Sequence, residues 1–179
     1  MDLNVVEIAG TVVERKSNYA TLRGVRRSGK DNVIRLWDLP MKAKVGDHVM
    51  VTGRLQIRQI GFINVKFILG VEVSKVKVLT KEDTVSKVVI SGKITCKGKK
   101  RTTYFGKRFI EISVNANGAY NVPVIVWNTL ADLVEEEFKI GDDVKIAGLL
   151  LSREYDKAVM GRVVKRLTTE VNAYSIKKV

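Results

Sequence analysis

The sequence predicts an all-β chain of two tandem five-stranded Greek-key barrels, the second with a helix between its strands 3 and 4. Three observations predict it. Apolar residues recur with period two through most of the chain, as strands require. A motif occurs twice, VGDHVMVTGRLQIR at 45–58 and IGDDVKIAGLLLSR at 140–153, so that Gly46, Gly53 and Arg58 align with Gly141, Gly148 and Arg153 at one offset of 95 residues. One window only, NTLADLVEEEFKI at 128–140, has helical spacing. A period of about half the chain signals two copies of a small domain. A single larger β-sandwich has no reason to repeat its motifs at a constant offset.

In order along the chain, VVEIAGTVVER (5–15), NVIRLW (32–37), DHVMVTGRLQIR (47–58) and KFILGVEVSKVKVL (66–79) read as strands rich in Val and Ile. Gly53 and Gly70 interrupt two of them, as a bulge or a barrel corner does. VGD and IGD are turn signals ahead of a strand. DLPMKAKV (38–45) contains Pro40 and reads as a loop or a single turn. The polar stretch TKEDTVS (80–86) separates the units, giving domains at 1–80 and 87–179 with a linker at 81–86. The second unit repeats the pattern from VISG (89–92), the counterpart of EIAG (7–10). Its added helix places Leu130, Leu133, Val134 and Phe138 on one face and acids on the other, with Asn128 or Thr129 as its cap. Five short strands per half, one helix between the third and fourth, is the pattern of an OB-fold, whose exposed face and loops commonly hold oligonucleotides.

Of 179 residues, 32 are Lys or Arg and 19 Asp or Glu, a net charge of +13. The excess is seven in residues 1–80 and six in 81–179, so both copies carry it and no detachable tail supplies it. Such a balance favours a polyanionic partner, since phosphate neutralisation releases counterions. Hydrophobic content of 45% with 28% charged residues is globular composition. Cys96, the one cysteine, excludes an internal disulfide or a thiolate cluster and fits a reducing cytoplasm. MDLNVVEIAG has no signal-peptide character, and apolar runs such as IAGLLL (146–151) are too short to span a bilayer. The expected location is cytoplasmic, with no membrane partner.

Single-strand grooves need cations that track the backbone and rings on which bases stack. CKGKKRTTYFGKRF (96–109) supplies both: Lys97, Lys99, Lys100, Arg101, Lys107 and Arg108 surround Tyr104 and Phe105 in a hairpin loop between the first two strands of the second unit. The alternative is a solvated loop with an aromatic turned inward. Its first-half counterpart, 14–30, places Arg26 and Arg27 among more Gly and Ser, around Tyr19. Trp127 and Trp37 each end an apolar run at a polar loop and are candidate stacking rings, core filling being the alternative. His48 reads as an exposed turn residue, and Glu135–Glu137 as a solvated helix face rather than metal ligands. No phosphate-binding Gly loop, HExxH or GxSxG occurs, and one His and one Cys far apart make neither a metal site nor a nucleophilic pair. No cofactor is expected, and the chain does not read as an enzyme.

PVIVWNTLADLVEEEFKIGDDVKIAGLLLSREY, followed by LTTEVNAYSI, resembles the bacterial single-stranded DNA-binding protein family over about residues 87–179. NVIRLW and KVGDHVMVTGRLQIR resemble it more weakly. The resemblance implies that Trp127 and Tyr155 stack on bases and that Lys145 and Arg153 meet phosphates. It implies Trp37 and Arg58 as the first-half equivalents, with Ile60 at the Tyr155 position and Phe62 near it. It further implies sequence-independent binding and protection of single-stranded DNA in replication, recombination or repair, with replication proteins as further partners. Two departures stand out. The chain ends in basic AYSIKKV where the family carries an acidic recruiting tail, so recruitment through a tail is expected to be absent or supplied otherwise. Two domains per chain imply a homodimer of four barrels or a monomer with two. The alternatives are a primosome or replication-restart adaptor acting through protein contacts, and single-stranded RNA binding. If one barrel alone binds, the second has the denser aromatic and basic loop.

Overall fold

The computed structural model describes residues 3–26, 28–61 and 66–179. These form strands β1 (Asn4–Arg15), β2 (Ala20–Val25), β3 (Asp31–Trp37), β4 (His48–Ile60), β5 (Lys66–Val78), β6 (Ser86–Lys97), β7 (Arg101–Thr102), β8 (Arg108–Ala116), β9 (Ala119–Trp127), β10 (Asp143–Val159) and β11 (Arg162–Lys178). A single helix among the described residues, α1 (Asn128–Glu137), lies between β9 and β10 in the chain.

Hydrogen-bonded neighbours make two closed circuits. In the first half β1, β2, β3, β5 and β4 follow one another and β4 returns to β1, with only β3 and β5 parallel. In the second half β6, β8, β9, β11 and β10 repeat this circuit, with only β9 and β11 parallel. Closure leaves each interior to the alternate residues of five strands. Val6, Ile8, Leu22, Ile34, Leu36, Val51, Leu55 and Val71 fill the first; Val88, Ile90, Ile110, Ile112, Val124, Ile146, Leu150 and Val171 fill the second. Ala131, Val134 and Phe138 seat α1 against the second core. Neither Asn128 nor Thr129 caps the helix. Trp127 occupies the N-cap position in extended backbone without a side-chain bond, and Asn128 takes a φ of 50°, which Asn tolerates better than most residues.

The two halves meet along β1 and β6, which pair antiparallel from Asn4↔Ile90 to Ile8↔Ser86. Gly10 and Gly92 are equivalent, so each residue of β1 matches the one 82 further on in β6. Val6 then matches Val88, and Val6 pairs with Val88. A pseudo-two-fold axis therefore passes through that pair, and the junction is self-complementary as an isologous interface is. The equivalent residues Asn4 and Ser86 behave alike. Asn4 exchanges two bonds with the backbone of Leu55, and Ser86 two with the backbone of Leu150. Across the junction, buried Asn32 donates to the Leu150 carbonyl at 2.9 Å and accepts from the Ser152 amide at 2.7 Å. His48 is half-buried rather than an exposed turn residue. Its Nε2 accepts the Asp83 amide at 2.9 Å and its Nδ1 meets Thr11 Oγ1 at 3.1 Å, tying the inter-half connection to the first core.

Glycine sits where strands cross too closely for a side chain. A Cβ on Gly92 would lie 1.9 Å from the Asn115 carbonyl oxygen, and one on its equivalent Gly10 2.6 Å from that of Arg23. Backbone cannot rotate aside as a side-chain tip can. Gly92→Ala is expected to lower stability by about 1–3 kcal/mol, seen as a fall of several degrees in thermal denaturation, whereas alanine at exposed Gly106 should cost only the strain of its left-handed turn.

Candidate nucleic-acid interface

Alternation along β8 turns Ile110, Ile112 and Val114 inward and Phe109, Glu111 and Ser113 outward. Phe109 pairs with Trp127, the last residue of β9, and the two half-buried rings lie 5.3 Å apart with planes tilted by 39°. Lys107, Trp127 and Asn128 line a recess of about 220 Å³ beside them. The basic loop predicted between the first two strands is itself a short hairpin. Arg101 and Thr102 pair with Phe109 and Arg108, and a turn closed by Gly106 N–H to the Thr103 carbonyl carries the tip. Tyr104 and Phe105 project from that tip 98% and 86% exposed, edge to face at 5.4 Å. Rings so exposed gain nothing from the core, and each offers a face to a base.

The second basic element is the outer part of the β10–β11 ribbon. Its ladder continues from Arg153↔Thr168 to Val159↔Arg162 and turns through Met160 and Gly161, both at positive φ. At about 3.4 Å per residue it extends about 20 Å beyond Arg153 and Thr168. Opposed residues share a face. One face holds Tyr155 with Arg166, Lys157 with Val164, and Val159 with Arg162; the other holds Glu154 with Leu167 and Asp156 with Lys165. Alternation thus sorts the charges, leaving Lys157, Arg162 and Arg166 around Tyr155 while both acids point away. Sequence reasoning missed these three cations. Their signal was the alternation of EYDK (154–157) and RVVKR (162–166).

Nine of the eleven predicted cations divide into two groups. Lys99, Arg101, Lys107 and Lys145 are exposed without ion pairs among the described residues. Lys97, Lys100, Arg108, Arg153 and Arg58 are held by carboxylates or carbonyls of the chain, which leaves their charge less free for a phosphate, although the Arg108 and Arg153 side chains stay 45% and 52% exposed. Lys97 donates to the Glu135 and Phe138 carbonyls at 2.8 and 2.7 Å, satisfying the end of α1. Arg108 forks onto Asp132, and Lys100 reaches Asp132 and Glu135 at 3.0 and 2.6 Å. Arg108 and then Lys100 hold the Asp132 carboxyl below its usual range. Arg58 bonds Asp38 and Glu72, whose carboxyls are lowered in turn, chiefly by Arg58 and Arg54 respectively. Arg26 is half-buried, its Nε without a partner. Arg27, like Phe62, lies outside the described residues.

Arg153 donates to Glu170 at 3.2 Å. Burial pushes the Glu170 carboxyl up, and Arg153 pulls it only part of the way back. A folded pKa above the unfolded value means that stability is full below the ordinary Glu range, about pH 4.3, and declines as pH rises through the raised value. Glu170→Gln is therefore expected to melt above the parent at neutral pH, the difference vanishing toward pH 3 in a thermal-denaturation series.

Trp37 is placed otherwise than Trp127. It is 1% exposed, its Nε1 donates to the Gln56 carbonyl at 3.1 Å, and a Cβ on Gly70 would come within 2.7 Å of that nitrogen. Arg58 covers its ring at 5.7 Å and Tyr19 meets it edge-on at 6.4 Å. A sealed indole offers no face to a base, which corrects its reading as a stacking ring. The ladders give the reason. Leu36 pairs with Val71, and Val124 with Val171, which makes Trp37 the counterpart of Ile125 and leaves Trp127 two residues further along. Aligning the halves on their tryptophans concealed that shift.

No family model and no curated protein matches this chain. Among solved structures it is similar to the wild-type single-stranded DNA binding protein from Thermus aquaticus, with a TM-score of 0.73 and 21% identity over 99% of this chain and 93% of that one. A deletion mutant of that protein matches with a TM-score of 0.71 over 99% and 95% of the two chains. At 21% identity the likeness is one of fold.

Proposed function

We propose that this chain binds single-stranded DNA with little sequence preference, through the exterior of its second half. In this reading each closed circuit is an OB barrel, spanning 1–80 and 87–179 with a linker at 81–86. The observation that carries it is convergence. The Phe109–Trp127 recess, the Tyr104–Phe105 tip and the Tyr155 face of the ribbon all belong to one barrel, and each has unpaired cations beside its rings. Stacking accepts any base, and cations follow any backbone, so the surface holds a strand without reading it. The first half, with Trp37 sealed and Arg58 paired, has a structural part. Binding would keep strands apart and protected while other proteins work on them. The fold of the Thermus aquaticus protein is consistent with this role.

Intrinsic fluorescence tests the proposal. Trp37 is shielded, so oligo-dT should quench Trp127 alone, giving strong but partial quenching. Duplex DNA should quench weakly, and oligo-U serves as the ribose control. Flat fluorescence together with no mobility shift would reject the reading in favour of an adaptor that works through protein contacts.

A further inference from the structure

A cleft of about 670 Å³ lies where the halves meet, between the end of β2, the 84–87 connection and the outer face of β10 and β11. Its walls include Val25, Leu149 and Leu151, with Tyr174 61% exposed. Arg26 and Lys87 supply its positive charge; no Asp or Glu is among its described lining residues, but Glu170, the partner of Leu151, acts electrostatically on Arg26, and Glu7 pairs with Lys87. The Arg26 Nε is buried there without a partner. A donor buried unsatisfied costs free energy that a ligand acceptor would recover. The cleft is also continuous with the Trp127 site: β9 and β11 pair Val126 with Ala173, so Tyr174 follows on β11 alongside Trp127 on β9.

We propose that this cleft is a second subsite for the same strand, holding a nucleotide segment that continues from Trp127 toward the first half. The proposal rests on the reading of the second half as a single-strand binder. Tyr174 takes a base against the Leu149–Leu151 wall, and Arg26 and Lys87 take the flanking phosphates. The unpartnered Arg26 Nε and the exposed Lys87 suit a phosphate chain, and the apolar wall suits a base face. The strand then occupies more chain than one barrel spans, and the first half contributes to site size through Arg26 without stacking rings of its own.

The test compares Tyr174→Ala and Lys87→Glu, both at exposed positions, with the parent. An oligo-dT of about 8 nucleotides, within one barrel's reach, should still quench Trp127 in all three. An oligo-dT of about 30 nucleotides should bind Tyr174→Ala roughly fivefold or more weakly, and its site size should shrink. An oligonucleotide carrying 5-iododeoxyuridine should photo-crosslink to Tyr174 in the parent. Unchanged affinity for the long oligo in both variants, with no crosslink, overturns the subsite while Trp127 quenching persists. Loss of quenching by both lengths in the parent overturns the binding reading itself. A fluorescein-labelled acidic peptide that fills the cleft in the parent but not in the variants, without competing with oligo-dT, also overturns the assignment and makes the cleft a protein-docking site.

Discussion

Trp127→Ala and Trp37→Ala are expected to fail in opposite ways. Removing Trp127 takes away a half-buried ring at a strand end. Oligo-dT affinity should fall by about 1–3 kcal/mol, roughly 5- to 150-fold, while the melting temperature changes little. Phe109 lies 5.3 Å away and remains as a lesser platform, which favours the lower part of that range. Removing Trp37 opens a cavity at a site 1% exposed and strands the Gln56 carbonyl. A cost of about 3–5 kcal/mol follows, with a fall of roughly 10 °C in melting temperature and near-normal affinity in whatever remains folded. Fluorescence titration and thermal denaturation of both variants check the pair. Equal losses of affinity would mean that Trp37 is not sealed in solution.

Salt should weaken binding steeply, and the ribbon should carry much of the slope. For single strands log affinity falls with log salt by about 0.7 per phosphate neutralised. Lys99, Arg101, Lys107, Lys157, Arg162 and Arg166 together would give a slope of about −4. Raising salt from about 50 to 200 mM then costs roughly 300-fold. A Lys157→Ala, Arg162→Ala, Arg166→Ala triple variant should flatten the slope by about 2 units. Arg108→Ala should change it less, because Asp132 already occupies that guanidinium. Binding isotherms at several salt concentrations decide this; an unchanged slope in the ribbon variant would place the strand elsewhere.

Period-two alternation and paired glycines made the strands legible, because closely crossing strands tolerate little else. Gly10 with Gly92 and Gly53 with Gly148 stand at crossings where a Cβ would meet backbone within 2.6 Å. The exposed Tyr104 and Phe105 were legible too, since two rings inside a run of cations seldom find a core. The register between halves was not. The ladders put equivalent residues 82 apart in β1 and β6 and 95 apart in β4 and β10, yet 88 apart at Leu36 and Val124. Loops of unequal length and bulges move the offset, so matching Trp37 with Trp127, 90 residues apart where the ladders give 88, misplaced it. Charge pairing was equally hidden. Lys100 and Arg108 meet Asp132 from a helix later in the chain, and no local pattern announces such a meeting.

Joining the halves through Val6 and Val88 has a consequence for how they can differ. Two separate identical subunits meeting at such an axis would part on dilution, and any change in one would appear in the other. Here the partner is tethered by a short connection, so its effective concentration is high at any protein level. The pairing survives at concentrations where a non-covalent pair would come apart. One chain also permits specialisation: a ring can be sunk into the first half as a pillar while the second keeps its rings at the surface, without either choice constraining the other.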